Sequence, residues 1–417
     1  MAEAVAVEAR KSLGFIRHVA LSTPWLGQFY ALTPIYTILL PVQVAETVTK
    51  GWQGIAVGAA TGAGGVLALT LPPLVGYWSD GMTSRFGRRR PFLVAGTVGM
   101  VGSCLILVGA NSYPPLLVGF VAFVAFVNVA GAATFGLVPD VVSGDETGKA
   151  SGLLSGMSQL GSVASLITLL ISFQLGNYRA VYWPIMAVAL LAIAPTLWAA
   201  AGEGLTPAAP RQRPTVRQFL APLYGGDFSW AFFTRMMTVA GLYCVLPFLV
   251  FVFRDVEQIP NAGMFANQFI LIVTAVAVPF AVVGGLASDR FGRKRFVYAS
   301  GVLFAIVLLV FQAGLMPIWV VYGLGVVYGL GYGAWGSVDW ALGLDTLPDR
   351  SRAAAKDLGL YHVADSLPRV AVPLVAGVLV DVLNRINPVL GYRAIFLLAV
   401  LFYVAGAVFV SRIRSVR

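Results

Sequence analysis

Long apolar stretches separated by short polar loops are the feature that most constrains the fold of this chain. Each stretch has roughly 18 or more residues, enough to cross a bilayer core as a helix. Because lipid offers no hydrogen-bond partner to the backbone, such stretches must be helices rather than open strands. Only 11% of the 417 residues are charged, too few to cover the surface of a soluble protein of this size. The sequence therefore predicts an all-α membrane protein.

Twelve transmembrane helices are predicted. In the first half they span Thr23–Val44, Trp52–Ser79, Pro91–Ala110, Pro115–Val138, Ala150–Leu175 and Val181–Ala200. In the second half they span Phe228–Phe253, Met264–Ala287, Phe296–Ala313, Ile318–Leu344, Ala354–Leu383 and Tyr392–Val410. The stretch between the two groups is rich in Pro and Arg, and it is the one long polar connection in the sequence. We therefore predict a six-helix bundle over residues 1–200, a cytoplasmic linker over 201–226 and a second six-helix bundle over 227–417.

The distribution of basic residues gives the expected orientation. With twelve spans, 21 of the 28 Lys and Arg residues fall on the side that holds both termini, and five fall in the opposite loops. Loops rich in Lys and Arg stay in the cytoplasm, so both termini are expected there, in a multi-pass protein of the plasma membrane. The formal charge of +10 reflects these loops rather than a basic face, so no nucleic-acid partner is expected.

An internal repeat relates the two halves. The stretch from Gly76 to Asp80 is followed by Arg85-Phe-Gly-Arg-Arg-Arg90, and the stretch from Gly285 to Asp289 is followed by Arg290-Phe-Gly-Arg-Lys-Arg295. Each loop precedes a long uncharged stretch, residues 91–139 in the first half and 296–338 in the second, and each second helix ends in an Asp, at 140 and at 345. Repeated halves of this kind are typical of transporters that work by alternating access.

These loop sequences resemble the signature of the major facilitator superfamily. The extended first copy, from Gly76 to Pro91, looks more specifically like the sucrose transporters and their animal and bacterial relatives, the glycoside–cation symporter branch. Weaker similarities are Ser337-Val-Asp-Trp-Ala-Leu342 in helix 10 and Ala353-Ala-Ala-Lys-Asp-Leu-Gly359 at the start of helix 11. The resemblance implies two pseudo-symmetric six-helix bundles around a central cavity. It also implies a gating role for the loop residues, which would hold the cytoplasmic side shut and separate during transport: Asp80, Arg85, Arg88, Asp289, Arg290 and Arg293.

Ionisable residues inside the spans are the main functional candidates, because they must face a partner or water. Arg235 in helix 7 and Asp339 in helix 10 lie at similar depth, and they are expected to form either a fixed structural ion pair or part of the working site. Helix 11 carries His362, Asp365 and Arg369 at spacings of three and four, on one face. That cluster is either a closed intrahelical pair or a proton-titrating site with His362 or Asp365 as carrier.

Polar and aromatic side chains suited to a sugar lie on the helices that the resemblance places around the cavity. They are Gln28, Tyr30, Asn128, Tyr243 and Trp335. No metal-ligand motif, cofactor motif or nucleophile–base constellation is recognised, so an enzyme is disfavoured and no cofactor is expected. The expected partners are a small-molecule substrate, a sugar in the first instance, protons as the coupling ion, and membrane lipid.

Two departures bear on the substrate. The sucrose transporters carry an Arg in helix 4, five residues before its final Asp, where this chain has Phe135. Drug–proton antiporters of the superfamily usually carry Gly-Pro in helix 5, and here that helix has no proline. The sequence predicts a secondary active transporter, a proton-coupled symporter of a sugar or glycoside. The alternative is an exporter of drugs or metabolites.

Overall fold

A computed structural model describes residues 14–82, 84–142, 146–200, 216–348 and 354–415. The described chain consists of helices and connecting loops. Twelve long helices, labelled α1 to α12, form two bundles of six, and each predicted span is occupied by one of them.

The first six helices form the N-terminal bundle. They are α1 (Phe15–Pro34, continued by a π-helical turn Ile35–Leu39 and a segment Leu40–Thr47), α2 (Gln53–Asp80), α3 (Arg90–Gly109), α4 (Tyr113–Val141), α5 (Thr147–Gln174) and α6 (Tyr182–Ala199, preceded by a 3-10 turn Tyr178–Val181).

The other six helices form the C-terminal bundle. They are α7 (Asp227–Val245, continued by a 3-10 turn Leu246–Phe248 and a segment Leu249–Asp255), α8 (Ala262–Phe291), α9 (Arg293–Phe311), α10 (Ile318–Asp345), α11 (Ala354–Asn384) and α12 (Leu390–Ser411).

Eleven of these described helices, α2 to α12, are long and apolar enough to cross a membrane. The remaining one, α1, is divided by its π turn, and no single segment of it meets both conditions. It also begins eight residues earlier than expected, at Phe15 rather than Thr23. The predicted span left His18 outside helix 1, but His18 lies in α1 and is 3% exposed, and its ring contacts the buried carboxylate of Glu146 at 3.2 Å.

Contacts between helix ends define the two sides of the molecule. Asp227 at the start of α7 accepts a hydrogen bond from the backbone N–H of Ser415, just beyond α12, and His18 near the start of α1 meets Glu146 just before α5. We call this the terminal side and the opposite one the far side. The bundles meet along two helix pairs, α2 with α11 and α5 with α8.

The linker predicted over residues 201–226 is only partly described. Residues 201–215 lie outside the described ranges, and the rest contains a short helix, Val216–Leu220, and a 3-10 turn, Ala221–Leu223. The bundle boundaries at residues 200 and 227 stay a prediction.

The two loops of the repeat share a backbone conformation as well as a sequence. Gly87 and Gly292, at equivalent positions in Arg-Phe-Gly-Arg, have φ values of 98° and 91°. Glycine adopts this left-handed region without the steric penalty of a side chain, so each loop can turn sharply into the next helix. The local geometry of the repeat is therefore preserved in both halves.

Glu257, in the far-side loop after α7, gives a pH-dependent stability prediction. Burial raises its pKa, and the hydrogen bond that it accepts from the Met316 N–H, at 2.9 Å, opposes that shift in part. The folded state therefore disfavours the charged carboxylate. Below the pKa that Glu257 has in the unfolded state, the carboxyl is protonated in both states and does not destabilise the fold. Above its higher pKa in the folded state, the carboxylate is charged in both states and its full destabilising effect is present. We expect Glu257→Gln to raise the melting temperature at neutral pH but not at pH 4, in thermal unfolding of the detergent-solubilised protein. An equal effect at both pH values would contradict this.

Candidate functional site

Four charged side chains form a continuous network in the C-terminal bundle. Arg235 of α7 contacts Asp339 of α10 at 2.5 Å and Asp365 of α11 at 3.6 Å. Asp365 also pairs with Arg369, one turn further along α11, at 2.9 Å. The expected contact between Arg235 and Asp339 is thus present, and it extends into the helix 11 cluster. The sequence had treated these as two separate groups.

The Arg235–Asp339 end of the network is enclosed by aromatic side chains. The Arg235 guanidinium lies 4.9 Å from the ring centroid of Trp340 and 4.8 Å from that of Tyr361. The Tyr361 hydroxyl donates to the Asp339 carbonyl at 2.9 Å and to its carboxylate at 3.3 Å. Both charged side chains are 6% exposed. A buried charge is costly unless an opposite charge lies beside it, and at this end Arg235 and Asp339 are paired with each other.

The Arg369 end of the network is open. Arg369 is the middle residue of the 31-residue α11, and its side chain is 43% exposed. Its guanidinium lies 4.9 Å from the centroid of Tyr243 on α7. Tyr243 in turn meets Tyr36 of α1 edge to face, with centroids 6.2 Å apart. Residues of both bundles therefore surround an accessible cation at mid-helix depth.

Apart from Tyr243, the other predicted site residues make no ion pair or hydrogen bond with this network within the described part of the chain. His362 is exposed, whereas Asp365, on the same helix, is buried. Gln28 donates to Thr134 at 3.3 Å, and Asn128 donates back to the Val124 carbonyl of its own helix at 2.8 Å. These contacts are internal to the N-terminal bundle.

Two aromatic candidates also make contacts within a single bundle. The Tyr30 hydroxyl lies 2.6 Å from the Thr168 hydroxyl, and the Trp335 ring packs 5.9 Å from Tyr332 on the same helix. Both side chains are less than 10% exposed. Of the five polar and aromatic candidates, Tyr243 is the one that meets the charge network.

Sequence reasoning missed three members of the site. Trp340 directly follows Asp339, and Tyr361 precedes Asp365 by one helical turn, so both could have been found by asking what surrounds a buried carboxylate. Tyr36 had no such signal, because it lies in the π turn of α1 in the other bundle.

The loop arginines of the first repeat pair within their own bundle. Arg88 contacts Asp140 at the end of α4 at 2.6 Å, and Arg89 contacts both Asp140, at 3.3 Å, and Asp80. Arg85, by contrast, lies 4.7 Å from the ring centroid of Phe86. The central member of this cluster is Arg89, which was not among the predicted gating residues.

The second repeat reproduces one of these contacts. Arg293 pairs with Asp345 at the end of α10. The residues of this pair are each 205 positions beyond Arg88 and Asp140, so the same ion pair recurs in both bundles. Arg290 is exposed, and the side chain of Asp289 lies outside the described residues. The gating role of these loops stays a prediction.

Glycines on the helices that meet between the bundles show which side is closed. On the far side, a Cβ at Gly54 of α2 would lie 2.6 Å from the Gly377 carbonyl of α11, and one at Gly263 of α8 would lie 3.1 Å from Phe173 of α5. At the terminal ends of the same four helices, a Cβ would meet no described atom within 4 Å at any of four glycines. These are Gly76, Gly152, Gly285 and Gly359. The bundles therefore touch on the far side and separate toward the terminal side.

Comparison with known proteins agrees with this architecture. The model of the Major Facilitator Superfamily matches residues 25–356 and 231–417. Two solved structures have the same fold. The nucleoside transporter NupG has a TM-score of 0.71 at 15% identity, covering 95% of this chain and 98% of its own. A D-xylose–proton symporter has a TM-score of 0.73 at 16% identity, covering 96% and 98%.

Sequence relatives match over short segments. The chain is 31% identical to the sucrose transport protein SUC3 of Arabidopsis thaliana over 101 residues, with a coverage of 20% of this chain and 17% of that protein. It is 49% identical to the proton-associated sugar transporter A of Homo sapiens over 47 residues, 11% of this chain and 6% of that one. The chain thus matches less than a fifth of either relative. The family model and the twelve-helix fold together show that the chain belongs to the major facilitator superfamily and is a membrane transporter rather than an enzyme.

Proposed function

We propose that this transporter is a proton-coupled symporter of a sugar or glycoside that works by alternating access. The observation that carries the proposal is the charge network that runs from the enclosed Arg235–Asp339 pair to the accessible Arg369. Such a network can take up a proton at one position and a polar substrate at another, with the two events linked through shared partners.

The open end of the network suits a sugar. An arginine presents up to five N–H donors to hydroxyl oxygens, and the rings of Tyr243 and Tyr36 offer faces and hydroxyls beside it. Ligand sites of this kind combine apolar walls with a few placed polar groups. The printed names of the two sequence relatives, a sucrose and a sugar transporter, point the same way.

Asp365 is the proton carrier that the contacts favour over His362. Its carboxylate lies between Arg369 and Arg235, so it depends on both cations for its charged form. A substrate that draws the Arg369 guanidinium away removes one of those partners and favours protonation of Asp365. By reciprocity, protonation frees Arg369 for the substrate, which couples the two.

The distribution of basic residues supports an orientation with both termini in the cytoplasm of a cell bounded by its plasma membrane. The terminal side, on which the bundles separate, would then face the cytoplasm. The arrangement of the helices would correspond to the state that releases an imported substrate.

Uptake into proteoliposomes tests the proposal. We expect labelled disaccharides or glycosides to accumulate when the outside is acidic, and accumulation to vanish when a protonophore collapses the gradient. Arg369→Met should lower the uptake efficiency by about tenfold or more, because hydrogen bonds from a charged donor are lost. Arg412→Met, which removes an exposed arginine beyond α12, is the matched control and should leave uptake unchanged. If no sugar accumulates under either condition, the substrate assignment is wrong and export of drugs or metabolites becomes the better reading.

A further inference from the structure

The far-side contact between the bundles is built around one carboxylate. Asp381, near the end of α11, is 3% exposed and reaches across the bundle interface to the start of α2. Its two oxygens accept hydrogen bonds from the backbone N–H groups of Gly54, at 3.1 Å, and Ile55, at 2.7 Å. A single side chain of the C-terminal bundle therefore holds the first turn of a helix in the N-terminal bundle.

This carboxylate replaces a missing local cap. The first N–H groups of any helix lack partners within the helix, and a side chain just before it usually supplies them. Trp52, at that position in α2, makes no such hydrogen bond. The negative charge of Asp381 also lies at the positive end of the α2 dipole. The start of α2 thus depends on α11 for contacts that helices normally make locally.

Neighbouring contacts hold the same segment from both sides. Arg385, one turn beyond Asp381, lies over the Trp52 ring at 4.7 Å, and Lys50 pairs with Asp255 of α7 at 3.0 Å. The two backbones also approach closely at Gly54, where an added Cβ would lie 2.6 Å from the Gly377 carbonyl. The contact therefore requires both a carboxylate at 381 and the absence of a side chain at 54.

We propose that Asp381 is the far-side gate residue: its hydrogen bonds to Gly54 and Ile55 form when the bundles close on the far side and break when that side opens. In the open state water must solvate both the carboxylate and the two N–H groups. The two hydrogen bonds of Asp381 therefore shift the equilibrium toward the state in which the far side is closed. This proposal rests on the transporter fold and not on the identity of the substrate.

Distances between spin labels test the gate without any substrate. In a background with Cys104→Ala and Cys244→Ala, one label pair at the exposed positions Thr49 and Ile386 reports the far side. A second pair at Phe86 and Phe291 reports the terminal side. We expect Asp381→Asn to raise the ratio of far-side-open to far-side-closed molecules by about tenfold, because a charged acceptor and one hydrogen bond are lost. The Thr49–Ile386 distances should lengthen while the Phe86–Phe291 distances shorten.

Matched variants separate gating from general damage. Glu46→Gln removes a far-side carboxylate that pairs with Arg179 inside the N-terminal bundle, so it should leave both distance distributions unchanged. Gly54→Ala keeps every charge but forces α2 away from Gly377, so it should shift the ratio in the same direction as Asp381→Asn. Its control is Gly76→Ala on the same helix, where a Cβ meets no described atom within 4 Å.

The gate proposal is overturned if Asp381→Asn and Gly54→Ala both give the wild-type distance distributions. It is also overturned if they lower the melting temperature without changing the population ratio, because that is the result of a purely structural role. If Asp381→Asn does not fold, the comparison of the distance distributions of Gly54→Ala and Gly76→Ala is sufficient to test the gate. A failure of sugar uptake would leave all these readings unaffected.

Discussion

Proteoliposomes that contain Asp365→Asn are expected to exchange sugar across the membrane but not to accumulate it against a gradient. Asparagine has the shape of the protonated aspartic acid but cannot release or take up a proton. Sugar can therefore still bind and cross, while the proton gradient no longer drives it. With a pH difference of one unit, a one-to-one symporter can reach about tenfold accumulation, and this ratio should fall to about one in the variant.

The measurement pairs gradient-driven uptake with exchange of labelled for unlabelled sugar at equal pH. His362→Gln is the comparison for the other predicted carrier and should keep accumulation, since His362 is exposed and apart from the pairs that join Arg235, Asp339, Asp365 and Arg369. Asp339→Asn is the second comparison. If it abolishes accumulation while Asp365→Asn retains it, the proton carrier is Asp339 and our assignment of Asp365 is wrong.

Replacing Arg235 with Met should destabilise the protein more than any other single change in the network. The Arg235 side chain is 6% exposed, and its positive charge lies 2.5 Å from Asp339 and 3.6 Å from Asp365. Removing one partner of a buried ion pair leaves an uncompensated charge, which costs about 3–5 kcal/mol. A large fall in melting temperature in thermal unfolding would report this loss.

The double variant Arg235→Met with Asp339→Asn is the informative control. It removes both charges of the enclosed pair, so most of the lost stability should return. Arg369→Met is the matched single change, and because the Arg369 side chain is 43% exposed we expect it to cost roughly 1 kcal/mol or less. If Arg235→Met and Arg369→Met lower the free energy of unfolding equally, the difference in burial between the two arginines does not determine their contribution to stability.

Together these experiments divide the network into parts. If Arg235→Met acts on stability and Asp365→Asn acts on coupling, the Arg235–Asp339 end is a structural anchor for a working Asp365–Arg369 end. Of the alternatives that the sequence left open, the fixed structural ion pair would then describe Arg235–Asp339, and the proton-titrating site would describe Asp365–Arg369. The distinction depends on burial, which differs sharply between the two arginines.

Twelve helices, their order and the repeat between the halves followed from the sequence. The reason is that the apolar runs are local and long, and the bilayer permits such runs to be helices only. The structure adds to that repeat the ion pairs Arg88–Asp140 and Arg293–Asp345, which recur 205 residues apart. The start of α1 was placed too late because the partner of His18, Glu146, is 128 residues away in the chain.

Only the tertiary structure decided which side chains meet. In a membrane helix the lipid-facing and the buried residues are both apolar, so the sequence does not fix the rotation of a helix about its axis. That rotation is what brings Arg235 to Asp365, turns Tyr30 toward Thr168 and places Tyr36 beside Tyr243. The far-side contact of Asp381 with α2 is of the same kind. It joins residues more than 300 positions apart through backbone N–H groups, which every residue but proline carries and no sequence pattern can mark.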